Sequence, residues 1–335
     1  MFSTGIFDQF DALVMEFTPQ IWFLAGCTAV GKTELSLALA HQINGEILSC
    51  DSLQVYRGAD IGSAKIKPEQ MQGIPHHGID LSPPDEKFDV GQYVRYARSV
   101  VDRIQKKGKN VLVVGGTGFY LKSFFTGVTD SIVVPEAIRR EVRSLYAEEG
   151  LLGLQRAVGS YGPHHLNDSD WHNPRRLSSI LGKQKITGLS QVELRQNFEQ
   201  TTCPFLGFTR RVILLERDSD SLRRRIEQRV EKMLLEGLIE EVRNLGKMCL
   251  PLSNGIGYRE VQMYLDGKMG NPSEERVREI LKESIISATH RLVKKQRTWF
   301  RRQIPVDFRI NLDEYSSNKN FDFMVSFCRN GGIWV

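Results

Sequence analysis

The chain has 335 residues, of which 41% are hydrophobic and 25% charged, and it carries a formal net charge of +5. That length suits a sizeable core and one or two domains, and the mild positive charge permits a polyanionic partner without requiring one. No apolar run approaches the roughly eighteen residues of a membrane span. The opening stretch Met1–Thr18 is acidic and unlike a signal peptide, and the five scattered cysteines lack a C-x-x-C pair and read as reduced thiols. A cytoplasmic monomer with no membrane contact is expected.

The predicted elements begin after an extension, residues 1–17, to which no role is assigned and within which Met15 is an alternative start. A first strand, Ile21–Ala25, leads into Gly26-Cys-Thr-Ala-Val-Gly-Lys-Thr33, and a helical pattern follows from Glu34 to Ile43. A second strand, Glu46–Ser49, runs into Cys50-Asp-Ser-Leu-Gln-Val-Tyr56. Long Gly/Pro-rich loops are expected from Gly58 to Pro84. A helix is predicted over Asp89–Lys106 and a third strand over Asn110–Val114, closing on Gly115-Gly-Thr-Gly118. This alternation predicts an α/β fold: a parallel sheet of the P-loop NTPase type, flanked by helices. The composition changes near Thr129. Residues 131–204 read as a helical insertion domain, so that 18–130 and 205–304 make up the core. A strand at Arg211–Glu216 returns to the sheet, and long helices follow over Leu222–Leu245 and Ser273–Arg302. Residues 305–335 show little pattern and form a second extension without an assigned role.

The chemistry starts at G-x-x-x-x-G-K-[ST]. Its glycines let backbone N–H groups turn inward around phosphate oxygens, and the helix start adds its positive dipole end. Lys32 supplies a full charge, and the Thr33 hydroxyl is placed to ligate Mg²⁺. Asp51, at the end of strand two and expected beside strand one, is a candidate to hold Mg²⁺ or accept a proton, or else a turn cap. Many phosphate-loop nucleotidases carry an acid after strand three. Here that position holds glycines and Thr117, which argues against ordinary nucleotide hydrolysis and suits close approach of a backbone or bulky ligand. Arg225 and Arg229 share one helix face, turned either to the cradle or to local acids. The last helix interleaves Arg291, Lys294, Lys295, Arg297, Arg301 and Arg302 with Trp299 and Phe300. Such a face suits a nucleic acid, or is simply solvated. Arg175 and Arg176 form a second basic spot. His164, His165 and His172 lack metal-ligand spacing and read as surface or packing residues.

In this order, these segments resemble the tRNA dimethylallyltransferases. The likeness is carried by the phosphate loop, Asp51-Ser-Leu-Gln-Val-Tyr56, Asp60-Ile-Gly-Ser-Ala-Lys65, Pro75-His-His-Gly-Ile-Asp80 and Val114-Gly-Gly-Thr-Gly-Phe-Tyr120. It continues through Asn173-Pro-Arg-Arg176, Arg225-Ile-Glu-Gln-Arg229, Gly255-Ile-Gly-Tyr-Arg-Glu260 and Lys294-Lys-Gln-Arg-Thr-Trp-Phe-Arg301. The resemblance implies a diphosphate of dimethylallyl diphosphate held by Gly26, Cys27, Thr28, Ala29, Val30, Gly31, Lys32 and Thr33. It also implies Mg²⁺ as cofactor and the anticodon stem-loop of tRNA as partner. Asp51 would be the general base, with Thr28 and Arg229 also catalytic. Asp51, Ser52, Leu53, Gln54, Thr117, Arg139, Arg175, Arg176, Gly257, Tyr258, Arg259, Lys294, Lys295, Gln296, Trp299 and Arg301 would contact tRNA. The chain departs from the family pattern at Cys27, Ser178–Gly182, His290 and Lys295, but the catalytic positions are intact. The competing reading is a P-loop kinase or ATPase acting on a small molecule or RNA.

Overall fold

The structure is a computed structural model and describes residues 20–127, 132–200, 203–271 and 274–314. The opening extension with Met15, the tail from Tyr315 and Cys328 lie outside the described residues. The chain divides into two compact units, one made of residues up to Lys122 and from Phe205 onward, the other of Ser123–Pro204.

The first unit is built on six parallel strands. Continuous apolar runs form its centre, as they must where helices cover both sheet faces. β1 (Gln20–Gly26) is buried from Ile21 to Ala25, and α1 (Lys32–Gln42) follows its turn. Next come β2 (Gly45–Cys50), the two-residue β3 (His76–His77), α2 (Val90–Lys106), β4 (Asn110–Gly115) and the short α3 (Gly118–Lys122). Asp89 caps α2 by accepting from Gln92 N at 3.0 Å, and a stripe including Tyr93, Ala97, Val101 and Ile104 buries one face of this helix. The sheet order is β3-β2-β4-β1-β5-β6. β4 therefore lies between β1 and β2, and Asp51 does not follow a strand adjacent to β1, contrary to the sequence expectation.

The second unit holds four helices in its described residues, α4 (Glu136–Gly159), α5 (Asp168–Trp171), α6 (Pro174–Thr187) and α7 (Gln191–Glu199). Its core gathers Val142, Leu154, Val158, Leu177 and Leu181. α4 kinks at Gly150, which takes φ 64°. His164 stacks on Trp171 with ring centres 4.0 Å apart, a packing role.

The chain re-enters the sheet as β5 (Thr209–Glu216) beside β1. The predicted helix over Leu222–Leu245 is broken into α8 (Ser219–Leu235) and α9 (Leu238–Leu245), because Gly237 takes φ 101° between them. α10 (Leu250–Ser253), α11 (Tyr258–Leu265) and the 29-residue α12 (Glu275–Gln303) follow. β6 (Phe308–Asn311) then pairs with β5, although this stretch shows no strand pattern in the sequence.

Candidate active site

The phosphate loop turns at the C-terminal end of β1. Gly31 takes φ 112° and Ala29 φ 62°, so the loop is held in a strained conformation that something must over-determine. Donors on its carbonyls do so. Lys32 Nζ donates to Gly26 O at 3.0 Å and Cys27 O at 2.8 Å; Arg225 Nε donates to Ala29 O and Arg217 Nε to Val30 O, both at 2.9 Å. Burial pulls the Lys32 ammonium down to about 8; Cys27 and Asp51 work to raise it, and Arg229 adds to the fall. An anion in the cradle favours the charged form again. The Cys27 thiol is pushed up by burial, with Lys32 and Arg297 opposing.

Asp51 reaches the same region past the end of β4 because β4 ends without side chains. A Cβ on Gly116 would meet Gly26 O at 2.9 Å and Gln296 Nε2 at 2.8 Å. Asp51 Oδ1 accepts from Leu53 N at 2.9 Å, and Thr117 Oγ1 accepts from Ser52 N at 3.0 Å. Gln296 ties the two loops together: its Oε1 accepts from Thr28 N and its Nε2 donates to Gly116 O, each at 3.0 Å. The guanidinium of Arg229, on α8, is lowered by burial, while the Asp51 carboxylate raises it. Of the two readings left open for the α8 arginines, the cradle is the one observed.

Two cavities meet here. One, of about 480 Å³, is lined largely by apolar groups including Ile226, Val230, Ile285, Leu292 and Trp299. The other, of about 440 Å³, is lined by Lys32, Thr33, Arg225 and neighbouring polar groups. Thr28, Asp51, Ser63, Gly116, Arg229, Met233 and Gln296 line both. The fold therefore sets a phosphate cradle end to end with an apolar chamber, with a carboxylate and a guanidinium at the junction. Among the described residues no group of three or more His, Cys, Asp or Glu side chains could hold a metal ion. One exposed threonine hydroxyl beside the cradle fits a Mg²⁺ that arrives on phosphate oxygens and keeps much of its water, as this ion commonly does.

The wall of the junction depends on a residue the sequence did not single out. Glu241, on α9, accepts from Asp60 N at 3.0 Å, Ile61 N at 2.6 Å, Gly62 N at 3.0 Å and Tyr258 Oη at 2.9 Å. In the sequence it is one more acid in a charged helix, and only the fold brings the Asp60–Gly62 amides onto it. Lys65 likewise ties Tyr56 O, Asp60 and Asp80 together from a nearly buried position.

The residues implied to contact tRNA do not form one set. Ser52, Leu53, Thr117, Lys295, Gln296 and Trp299 line the apolar cavity, and Gln54 lines the polar one. Lys294 and Arg301 are exposed on α12. Tyr258 is fully buried against Glu241, so it has no surface for an RNA and braces the loop instead; Gly257 and Arg259 flank it, with Arg259 paired to Glu260. Arg139, Arg175 and Arg176 are exposed in the second unit, where Asn173 caps α6 through the Arg175 and Arg176 amides.

These features define a P-loop α/β protein of the group-transfer class, with an apolar chamber where a nucleotidase would carry an acid. Comparison with known proteins agrees. The IPP transferase family model matches residues 54–303. A tRNA dimethylallyltransferase of Opitutus terrae is 40% identical, the match covering 88% of this chain and 93% of that protein; one of Geobacillus thermodenitrificans is 37% identical over 87% and 90%. The solved tRNA isopentenylpyrophosphate transferase of Bacillus halodurans has a TM-score of 0.66 at 31% identity, covering 93% of this chain and 96% of its own. A eukaryotic dimethylallyltransferase acting on tRNA reaches a TM-score of 0.73 at 22% identity over 93% and 80%, a likeness of fold alone. The chain belongs to the IPP transferase family.

Proposed function

We infer that this chain transfers a dimethylallyl group from dimethylallyl diphosphate to N6 of adenosine 37 of tRNA, beside the anticodon, and releases diphosphate. The observation that carries this reading is the junction of the polar and apolar cavities at Asp51, Thr28 and Arg229. A diphosphate in the cradle directs its allylic carbon into the apolar chamber, where an extruded adenine enters from the side of Thr117 and Trp299. As the C–O bond breaks, negative charge grows on the leaving diphosphate. Lys32, the loop N–H groups and Arg229 stabilise that charge where it develops. The N6–C bond forms, and the N6 proton passes to Asp51, whose Oδ1 is already anchored by the Leu53 amide. Thr33 would hold Mg²⁺, which supplies further charge compensation to the diphosphate. The exposed basic residues of α12, Arg291, Lys294, Lys295, Arg301 and Arg302, support RNA contact, whereas Phe300 is buried and Trp299 turns to the apolar cavity; a cytoplasmic monomer suits such a substrate.

The test is label transfer from dimethylallyl diphosphate to an anticodon stem-loop with adenosines at 36 and 37, against a guanosine-37 control. Transfer to the first RNA alone, without ATP, is expected. Transfer to both RNAs overturns the target assignment, and ATP turnover without transfer brings back the kinase reading. Undiminished transfer by Asp51→Asn would remove the base assignment.

A further inference from the structure

The segment after α12 carries none of the chemistry, yet it reaches the phosphate loop. Leaving β6, Asp313 accepts from Asp218 N at 2.8 Å and Ser221 Oγ at 2.9 Å, and pairs with Arg217 Nη1 at 2.5 Å. Arg217 turns its Nε onto Val30 O at 2.9 Å. The pair is mostly enclosed, at 17% and 19% side-chain exposure, which separates it from ordinary surface ion pairs. Arg297, from α12, donates to Arg217 O at 2.6 Å and fixes the backbone that carries the brace. Leu312 Cδ1 lies 3.6 Å from where a Cβ on Gly31 would be.

The geometry matters because a trans peptide points its C=O and its following N–H in opposite directions. Holding Val30 O on Arg217 turns the Gly31 N–H away from Arg217. Gly31 itself lines the polar cavity. Gly31, on one side of this peptide, takes φ 112°, and Ala29, one residue before it, takes φ 62°; such a loop keeps its form only where its surroundings hold it.

We propose that Asp313 and Arg217 form a positioning brace that sets the diphosphate-binding orientation of the Val30–Gly31 peptide, so that the C-terminal segment governs donor affinity without touching the donor. This rests on the diphosphate reading of the loop. Arg217 spans its two partners with two different nitrogens of a planar fork, a geometry that a single ammonium does not reproduce.

The test measures binding of inorganic diphosphate with Mg²⁺ by calorimetry, together with kcat and the two KM values in prenyl transfer. Variants are Asp313→Ala, Asp313→Asn, Arg217→Lys, and Arg309→Ala as control, since Arg309 of β6 pairs with Glu216 of β5 in an exposed ion pair. Asp313→Ala and Arg217→Lys are expected to weaken diphosphate binding and raise donor KM about tenfold, leaving stem-loop KM within about twofold. Asp313→Asn should fall between them and wild type, because its amide oxygen still accepts while the charge is gone. Unchanged donor KM and diphosphate affinity in both strong variants would overturn the brace. So would equal losses in Arg309→Ala, or a parallel rise in stem-loop KM, which would mark a general structural role. Failure of the functional reading looks different: the wild-type protein would itself transfer nothing.

Discussion

Replacing Glu241 with glutamine tests how the wall of the junction is held. The carboxylate accepts four hydrogen bonds, three from the backbone of Asp60, Ile61 and Gly62 and one from Tyr258. Each oxygen takes two of them. A glutamine NH₂ on one side faces two backbone N–H groups; on the other it faces the Gly62 N–H and the Tyr258 hydroxyl, which can turn to accept. At least one bond is lost and the others become neutral. With hydrogen bonds to charged groups contributing roughly 1.5–3 kcal/mol each, the expected destabilisation is about 3 kcal/mol or more. With an unfolding entropy of about 2.1 cal/mol/K per residue, a chain of this size would show a fall in Tm of about 4 °C. Activity should fall as well, since Gly62 and Ser63 line the apolar cavity and Ser63 the polar one. The assay is thermal unfolding followed by prenyl transfer at a temperature where the variant is folded. Glu240→Gln is the control, because that neighbour is exposed and pairs only with Arg243 among the described residues; its effect should stay within about 0.5 kcal/mol. If Glu241→Gln melts with wild type and transfers at the wild-type rate, the clamp does not hold the loop and the reasoning fails.

Gly116→Ala should reduce prenyl transfer at least about tenfold, since its Cβ would lie 2.8 Å from Gln296 Nε2 and 2.9 Å from Gly26 O and would push both loops apart; wild-type kcat/KM would show that the contact is slack. Phe119 is 70% exposed and lines the apolar cavity. Phe119→Ala should weaken stem-loop binding roughly fivefold or more with no change in Tm, as loss of a base-stacking surface does, and unaltered RNA affinity would contradict that. Glu46 gives a pH prediction. Burial works against its charge, but hydrogen bonds from His77, Lys107 and Lys109 outweigh it and hold the carboxyl down to about 2 from 4.5. The folded value lies below the unfolded one, so the stabilisation is complete above about pH 4.5 and is lost as pH falls toward 2. It amounts to about 3 kcal/mol. Glu46→Gln should lower stability at pH 7 and flatten the decline between pH 4.5 and 2, as read by urea unfolding; an acid limb as steep as that of wild type would refute the assignment.

Much of the α/β core was legible because its signals are local. The apolar runs of β1, β2, β4 and β5 needed only a covered parallel sheet, and Gly31, Lys32 and Thr33 announced a phosphate loop by spacing alone. The helical periodicity over Asp89–Lys106 made α2 readable in the same way. Asp51 and Arg229 could be nominated from their places at a strand end and on a helix face. β3 and β6 were not legible: two and four residues are too few for a period to show, and each exists because a neighbouring strand offers a free edge.

Only the tertiary structure decided what surrounds those residues. It placed β4 between β1 and β2, and made the side-chain-free turn at Gly115–Gly116 the route by which Asp51 meets the cradle. It set Gln296 as a bridge between Thr28 and Gly116, and it buried Tyr258 against Glu241. Each of these contacts joins residues distant in the sequence, such as Arg217 and Val30 or Asp313 and Arg217. A hydrogen bond between side chain and distant backbone leaves no periodic trace in either partner's neighbours. The sequence by itself determined the central strands, most of the helices of the core and the candidate reactive groups. Their mutual orientation was settled by chain crossing, where close packing allows one arrangement and local propensity is silent.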